Sequence, residues 1–263
     1  MHTLFLIQSV WKNFWSQLSR YILLMLPLIL PVFLLRFVSQ YAYLGKLFIV
    51  YSTIVGIALT LVALIVEITV IHFFHDTLQK NQPQPTYSII NSWNMALTKF
   101  PRYLGLKFVV FVIILALPVV VRSISLLFIG NLLVTYIVNI IIITWIVSVT
   151  LIFVFAPYYM VIHGTSIMQS LKKSAVLFMQ HAAAVIGTIF FGFLIFGGLC
   201  VLMALSTNIV LAVISQQTTL LLNAYLSPWW QFLVIDIWAL LGLPLLIGTI
   251  TALYRDLSQE PTV

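Results

Sequence analysis

The strongest constraint on the fold is a series of long apolar runs that occupies most of the chain. A helix that crosses a bilayer needs about 20 mainly apolar residues, because only a helix satisfies its own backbone polar groups in hydrocarbon. Suitable runs lie at 21–37, 47–75, 103–121, 132–160, 182–205 and 231–254. The chain is 63% hydrophobic and 6% charged, which excludes an ordinary soluble domain. The sequence therefore predicts an all-α, polytopic membrane helical bundle of about six transmembrane helices, as a single membrane domain, 1–263.

The distribution of basic residues predicts the orientation in the membrane. Nine cations fall on one predicted face, namely Lys12, Arg20, Lys80, Lys99, Arg102, Lys107, Lys172, Lys173 and Arg255; only Arg36, Lys46 and Arg122 fall on the other. Positive charge near short loops marks the cytoplasmic side. We therefore predict a multi-pass protein of the bacterial inner (plasma) membrane with both termini in the cytoplasm. Because the cations lie at helix ends, the net charge of +7 does not indicate a nucleic-acid partner.

Three segments on the predicted cytoplasmic side have the spacing of amphipathic helices: 9–21, 88–100 and 166–178. In the third, one face contains Met168, Leu171, Ala175 and Phe178, and another contains Ser166, Gln169, Ser170 and Lys173. Each segment precedes a predicted span. We interpret them as short interfacial helices in the headgroup region; the alternative is that each is a cytoplasmic extension of its span.

These segments predict a threefold internal repeat of one interfacial helix followed by two spans, over approximately 4–76, 86–162 and 164–257. Segments 88–100 and 166–178 align without gaps, and Trp11 of the first segment corresponds to Trp93 of the second. At the last span of the first and third units, the exits Phe74-His75-Asp76 and Tyr254-Arg255-Asp256 correspond. An aromatic residue, a cationic residue and an aspartate at this position are typical of an interfacial anchor.

A metal site is an alternative interpretation of the first of these exits. His72, His75 and Asp76 are at spacings i, i+3 and i+4 on one helix, and His163 or His181 could add a further ligand. However, the position that corresponds to His75 is Arg255, and an arginine cannot bind a metal. We therefore predict that His72, His75 and Asp76 are interfacial residues and that the protein holds no metal and no cofactor.

The run "APYYMVIHGTSIMQSLKKS", 156–174, combines a proline near the end of a span, Gly164, and Ser-Leu-Lys-Lys-Ser at the start of an amphipathic segment. This run, with "QSVWKNFWSQLSRYILL" and "LYRDL", resembles the YciC-type family of uncharacterised bacterial inner-membrane proteins. It is also similar to the membrane domain attached to some glycerophosphodiester phosphodiesterases. The resemblance implies a multi-spanning inner-membrane protein and supplies no catalytic residues.

Two carboxylates lie within predicted spans. Glu67 precedes Asp76 by nine residues, about 13 Å inside the cytoplasmic exit, and Asp236 precedes Asp256 by twenty, about 30 Å from that face. A carboxylate in hydrocarbon normally faces the bundle interior and has a partner. Lys107 could pair with Glu67, and Arg36 or Arg122 could pair with Asp236. The pairs either fix the register of the helices or belong to an ion path, a proton path or a headgroup slot.

The sequence lacks the glycine pattern of a hydrolase nucleophile elbow and a phosphate-binding glycine loop, so no catalytic activity is predicted. We predict a non-catalytic membrane scaffold or lipid-associated envelope-homeostasis factor. Its partners would be membrane lipids, with anionic headgroups near the interfacial residues Lys172, Lys173, Arg255 and Asp256, and a membrane-protein partner is compatible with this role. The alternative is a small transporter or lipid translocator that uses Glu67 and Asp236.

Overall fold

The computed structural model describes residues 2–39, 45–79, 89–125, 132–199, 201–203, 205–206 and 228–259. Over these ranges every regular element is helical, which confirms the predicted all-α class for this part of the chain. The helices are α1 His2–Ser16, α2 Leu18–Ser39, α3 Lys46–Gln79, α4 Ile89–Ser125, α5 Leu132–Ile152, α6 Ala156–His163, α7 Ile167–Gly192 and α8 Pro228–Gln259. A π-helical turn, Phe193–Gly197, follows α7.

Four stretches of the described chain are long and apolar enough to cross a membrane: Ile49–Leu78, Ser92–Ser125, Leu133–His163 and Ile167–Met203. They correspond to the second to fifth predicted runs, so the chain is a multi-pass membrane protein. The first predicted run, 21–37, overlaps a shorter apolar stretch, Leu18–Leu28, in α2. The last predicted run lies in α8, where the side chains before residue 242 are outside the described part of the structure.

The chain divides into two compact units, one of Met1–Ala96 and Gly187–Leu253, the other of Leu97–Ile186 and Tyr254–Val263. In the first unit, Phe74 of α3 stacks on Tyr21 of α2 with ring centroids 4.9 Å apart. Gly248 of α8 lies against the tip of this ring, and an added Cβ would lie 2.4 Å from Phe74 Cζ. A larger residue at position 248 would therefore require the Phe74 ring or the backbone of α8 to move.

In the second unit, α4 and α5 form an antiparallel pair. Trp145 Nε1 donates to the Ile113 carbonyl at 3.2 Å, while Tyr103 and Leu106 of α4 are buried. About half of the other large apolar side chains of the two helices are exposed; examples are Phe108, Phe111, Val119, Leu133, Ile140 and Ile143. Apolar side chains on the outside of long helices are expected where lipid is the solvent, because lipid tails are as apolar as leucine.

The three amphipathic segments join their spans in three different ways. A break at Gln17 separates α1 from α2, whereas the second segment, from residue 89 onward, continues into its span within α4. Residue 88 lies outside the described residues. The third segment is the first part of α7, which kinks at His181 (φ −128°, ψ 29°). The interfacial position of the segments and the threefold repeat therefore remain predictions. The continuous α4 is the arrangement expected if the second segment is a cytoplasmic extension of its span.

Candidate functional site

A break between α5 and α6 interrupts the span Leu133–His163. Pro157, near the start of α6, has no N–H, and in a continuous helix its ring would clash with the carbonyl four residues earlier. The chain makes a turn at 153–155 instead. The hydroxyl of Ser174, on α7, serves both sides of this break: it accepts the Phe155 N–H at 3.2 Å and donates to the Ile152 carbonyl at 2.8 Å. Because Ser174 is fully buried, these bonds fix the beginning of α7 against the break.

The connection Gly164–Ser166, called here the α6–α7 turn, is closed by local hydrogen bonds. Gly164 has φ 64°, the left-handed conformation that favours glycine after a helix, and its N–H bonds to the Met160 carbonyl at 3.0 Å. Ser166 and Gln169 form a reciprocal capping box, with both bonds at 3.4 Å. Thr165 Oγ1 lies 2.6 Å from Ser170 Oγ. The turn therefore has a defined shape and fixes the direction of α7.

An aromatic cluster lies beside this turn and consists of Phe155, Tyr158, Tyr159, His163 and Tyr254. Its centre is Tyr254 of α8, whose ring centroid is 5.0 Å from that of Tyr159 in an edge-to-face contact and 6.2 Å from that of His163. Tyr254 is buried and His163 is exposed. The cluster thus extends from the interior of the second unit to its surface at the α6–α7 turn.

Three lysines surround the cluster and the turn. Lys173 Nζ lies 5.7 Å from the Tyr159 ring centroid, within the range of a cation–π contact. Lys99 donates to the Val161 carbonyl near the end of α6. Lys172 and Lys173 are both exposed, and the sequence contains no Asp or Glu between Asp76 and Asp236. This long stretch, which includes the turn, therefore supplies no carboxylate that could neutralise the lysines.

One side of α7 presents apolar and cationic side chains together. Met168, Lys172, Val176 and Met179 follow each other at spacings of three or four residues, and all are exposed, Met168 by 73%. We call this set the α7 stripe. The opposite side buries Ser170, Leu171, Ser174 and Leu177. The sequence pattern grouped Met168 with Leu171 and placed Ser170 on the polar face. In the structure Ser170 is buried, as is Ser174. Their hydroxyls bond to Thr165 in the turn and to the Ile152 carbonyl at the break.

At the exit of α3, the predicted interfacial residues are less accessible. His72 Nδ1 lies 3.4 Å from Asp76 Oδ2 one turn later, which is an ion pair when the histidine is protonated. His75 and Asp76 are half-buried, and Phe74 is fully buried. Among the described residues, no three His, Cys, Asp or Glu side chains come together in a way that could hold a metal ion. The exit therefore consists of packed aromatic rings and a local His–Asp contact.

The residues of the predicted membrane pairs belong to four different helices, α2, α3, α4 and α8. Glu67 is half-buried in the first unit. Lys107 is half-buried in the second, with Nζ 5.2 Å from the Tyr103 ring centroid, so a Glu67–Lys107 pair remains a prediction. Arg122 Nη1 donates to Asn139 Oδ1 at 3.4 Å, which joins α4 to α5. Arg36 and Asp236 belong to α2 and α8, but their side chains lie outside the described part of the structure.

The remaining predicted positions follow Tyr254 in α8. Arg255 and Asp256 are half-buried there, next to the fully buried Tyr254. The structure thus brings the α8 exit to the aromatic cluster of the α6–α7 turn, a contact that sequence reasoning missed. Part of the signal was present: Ser170 and Ser174 are four residues apart, which places both on one side of a helix, and Pro157 indicates a helix break that needs hydrogen-bonding partners.

Comparison of the chain with protein-family models, curated proteins and solved structures finds no match. The resemblance to the YciC-type family therefore remains a prediction carried by the residues quoted above. The features of the structure that indicate a function are the exposed lysines and exposed apolar side chains of the α6–α7 turn and the α7 stripe.

Proposed function

We propose that this chain is a non-catalytic, lipid-associated membrane protein that collects anionic lipids around itself at the cytoplasmic face of a bacterial inner membrane. The observation that carries the proposal is the α7 stripe, where Lys172 lies between exposed Met168 and Val176. An exposed apolar side chain is stable in the acyl region, and a neighbouring lysine can extend its ammonium group to the headgroups. The combination suits a helix surface at the boundary between headgroups and acyl chains.

The magnitudes favour anionic lipid over neutral lipid. Each Lys or Arg near the surface of an anionic membrane contributes about 1 kcal/mol of electrostatic attraction. Lys172, Lys173 and Arg102 are exposed cations of the second unit, and together they would contribute roughly 3 kcal/mol. That attraction is sufficient to enrich anionic lipid around the protein and is weak enough to permit exchange. A scaffold role in envelope homeostasis is compatible with such an annulus.

The proposal includes six spans and cytoplasmic termini. Four spans support it directly, and the lengths of α2 and α8, 22 and 32 residues, are compatible with two more at 1.5 Å per residue. Reporter fusions after Leu78, Gln169 and Leu257 should report cytoplasm, and fusions after Ser125 and Gln217 should report periplasm. A C-terminus in the periplasm would contradict the six-span arrangement.

Lipid analysis tests the proposed function. The protein should be extracted in a mild non-ionic detergent, and the lipids that co-purify should be quantified by mass spectrometry against the lipids of the starting membrane. We expect enrichment of anionic phospholipid relative to the bulk. A co-purifying set with the bulk composition would contradict the proposal, and so would a transport activity that requires Glu67, because that activity belongs to the alternative function.

A further inference from the structure

The cations of the second unit outnumber its acidic residues, which are Asp256 and Glu260 of the C-terminal segment. From residue 77 to residue 235 the chain has no Asp or Glu, but it has Lys80, Lys99, Arg102, Lys107, Arg122, Lys172 and Lys173. Lys99 and Lys107 are half-buried and engaged, with the Val161 carbonyl and the Tyr103 ring respectively. Lys172 and Lys173 differ from them, because they are adjacent and exposed.

The surroundings of these two lysines are fixed. Ser170 and Ser174, on either side of the pair, are fully buried, and their hydroxyls bond to Thr165 and to the α5–α6 break. Lys173 is further restricted by the Tyr159 ring. The lysine pair is thus presented from a backbone that is held on both sides, and a ligand would not have to order a mobile loop. In the Ser-Leu-Lys-Lys-Ser sequence, the two serines are thus buried and hydrogen-bonded, and the two lysines between them are exposed.

We propose that Lys172 and Lys173, with His163 and the α6–α7 turn beside them, form a binding site for the phosphodiester headgroup of an anionic phospholipid. This inference rests on the proposed function and assigns its ligand contact to one place. The ring centroid of the exposed His163 lies 6.0 Å from that of Tyr159, the ring that Lys173 contacts, and an exposed imidazole can donate a hydrogen bond to a phosphodiester oxygen.

The α7 stripe selects a lipid over a free phosphate compound. Met168 and Met179 are exposed by 73% and 69% on the side of α7 that carries Lys172. Burial of these side chains against acyl chains is favourable by about 25 cal/mol per Å² of apolar surface. A soluble phosphodiester has no apolar part that could cover them. The ligand therefore has a phosphodiester anion joined to hydrocarbon.

The test is a titration of the full-length protein, purified in a non-ionic detergent, with short-chain phosphatidylglycerol, and bound lipid is counted by native mass spectrometry. Short-chain phosphatidylcholine tests the requirement for net negative charge, and glycerophosphoglycerol, the soluble phosphodiester left when both acyl chains are removed from phosphatidylglycerol, tests the requirement for acyl chains. We expect saturable binding of phosphatidylglycerol, much weaker binding of phosphatidylcholine and no binding of glycerophosphoglycerol. Binding of glycerophosphoglycerol as tight as that of phosphatidylglycerol would show an ordinary phosphate site and overturn the inference.

The decisive variant is Lys172→Gln/Lys173→Gln, which should bind phosphatidylglycerol about 25-fold more weakly, roughly fivefold for each lysine. Lys172→Arg/Lys173→Arg keeps the charges and should bind as the unchanged protein does. Lys12→Gln is the matched control, because Lys12 is an exposed lysine of α1 on the same predicted face, and it should change the affinity by less than twofold. The thermal unfolding midpoint confirms that each variant is folded.

The outcomes separate this inference from the proposed function. If Lys12→Gln weakens binding as much as each lysine substitution at the turn, general surface charge collects the lipid; the site is then wrong and the lipid-associated function stands. If the unchanged protein does not distinguish phosphatidylglycerol from phosphatidylcholine, both are wrong.

Discussion

The exit of α3 and the α6–α7 turn both place polar residues at the end of a long apolar helix, but they use them differently. At the α3 exit, the aspartate and histidine contact each other, and Phe74 packs against Tyr21 and Gly248. At the α6–α7 turn, two serine hydroxyls are used internally, and two lysines are presented outward. The two helix ends therefore differ in how much charge they leave exposed, and our proposal assigns the binding site to the end where the lysines are exposed.

The largest effect is expected where the α3 exit is most tightly packed. Phe74→Ala removes a fully buried ring that contacts both α2 and α8, and truncation of a buried phenylalanine typically costs about 3–5 kcal/mol. We expect a correspondingly large decrease in thermal unfolding temperature in detergent. Phe108→Ala is the control, since Phe108 is 64% exposed. Equal losses for the two variants would show that the α3 exit is not a packed core.

A substitution on the other side of the same contact should have a smaller effect. Gly248→Ala introduces a Cβ at 2.4 Å from Phe74 Cζ, and overpacking of this kind costs about 1–3 kcal/mol. Gly198→Ala is the matched control. Gly198 is also helical and has no atom within 4 Å of an added Cβ, so the alanine should be neutral or stabilise by up to about 1 kcal/mol. If both alanines are neutral, the close approach of α8 to α3 is wrong.

Ser174 tests whether the α6–α7 turn depends on the helix break. Ser174→Ala leaves the buried Phe155 N–H and Ile152 carbonyl without this partner, and a lost partner of a buried polar group costs about 1–3 kcal/mol. Ser123→Ala removes an exposed hydroxyl that bonds only within its own helix and should be silent. The unfolding midpoints of both variants decide the matter. A silent Ser174→Ala would contradict the internal role of the serines.

The smallest effect is expected at His75. The corresponding residue of the predicted repeat is Arg255, so His75→Arg should change the free energy of unfolding by less than about 0.5 kcal/mol. Elemental analysis of the purified protein should find no stoichiometric zinc, iron or manganese. A metal that is present in the unchanged protein and lost in His75→Arg would establish the α3 exit as a metal site, and the comparison of the two regions would fail.

The apolar runs were sufficient to predict the helical class and four of the spans, because the hydrocarbon thickness sets the length of a helix that satisfies its own backbone. The same patterns were less informative about the turn. Periodicity placed Ser170 on the polar face of its helix. The break before Pro157 leaves backbone groups without helical partners, and the buried Ser174, one turn after Ser170, bonds to two of them. Tyr254 and Tyr159 are in contact but far apart in the chain, and the spacing of residues within one helix cannot predict such a contact.

In our proposal the α6–α7 turn, and not the α3 exit, contacts anionic headgroups. The most direct measurement uses phosphatidylglycerol with a photoreactive group in its headgroup, reconstituted with the protein in phosphatidylcholine vesicles, followed by peptide mapping of the crosslinks. The account predicts that crosslinks concentrate in residues 166–179 and largely disappear in Lys172→Gln/Lys173→Gln. Crosslinks that are equally frequent in residues 72–79, or that are unchanged by the lysine substitutions, would contradict it.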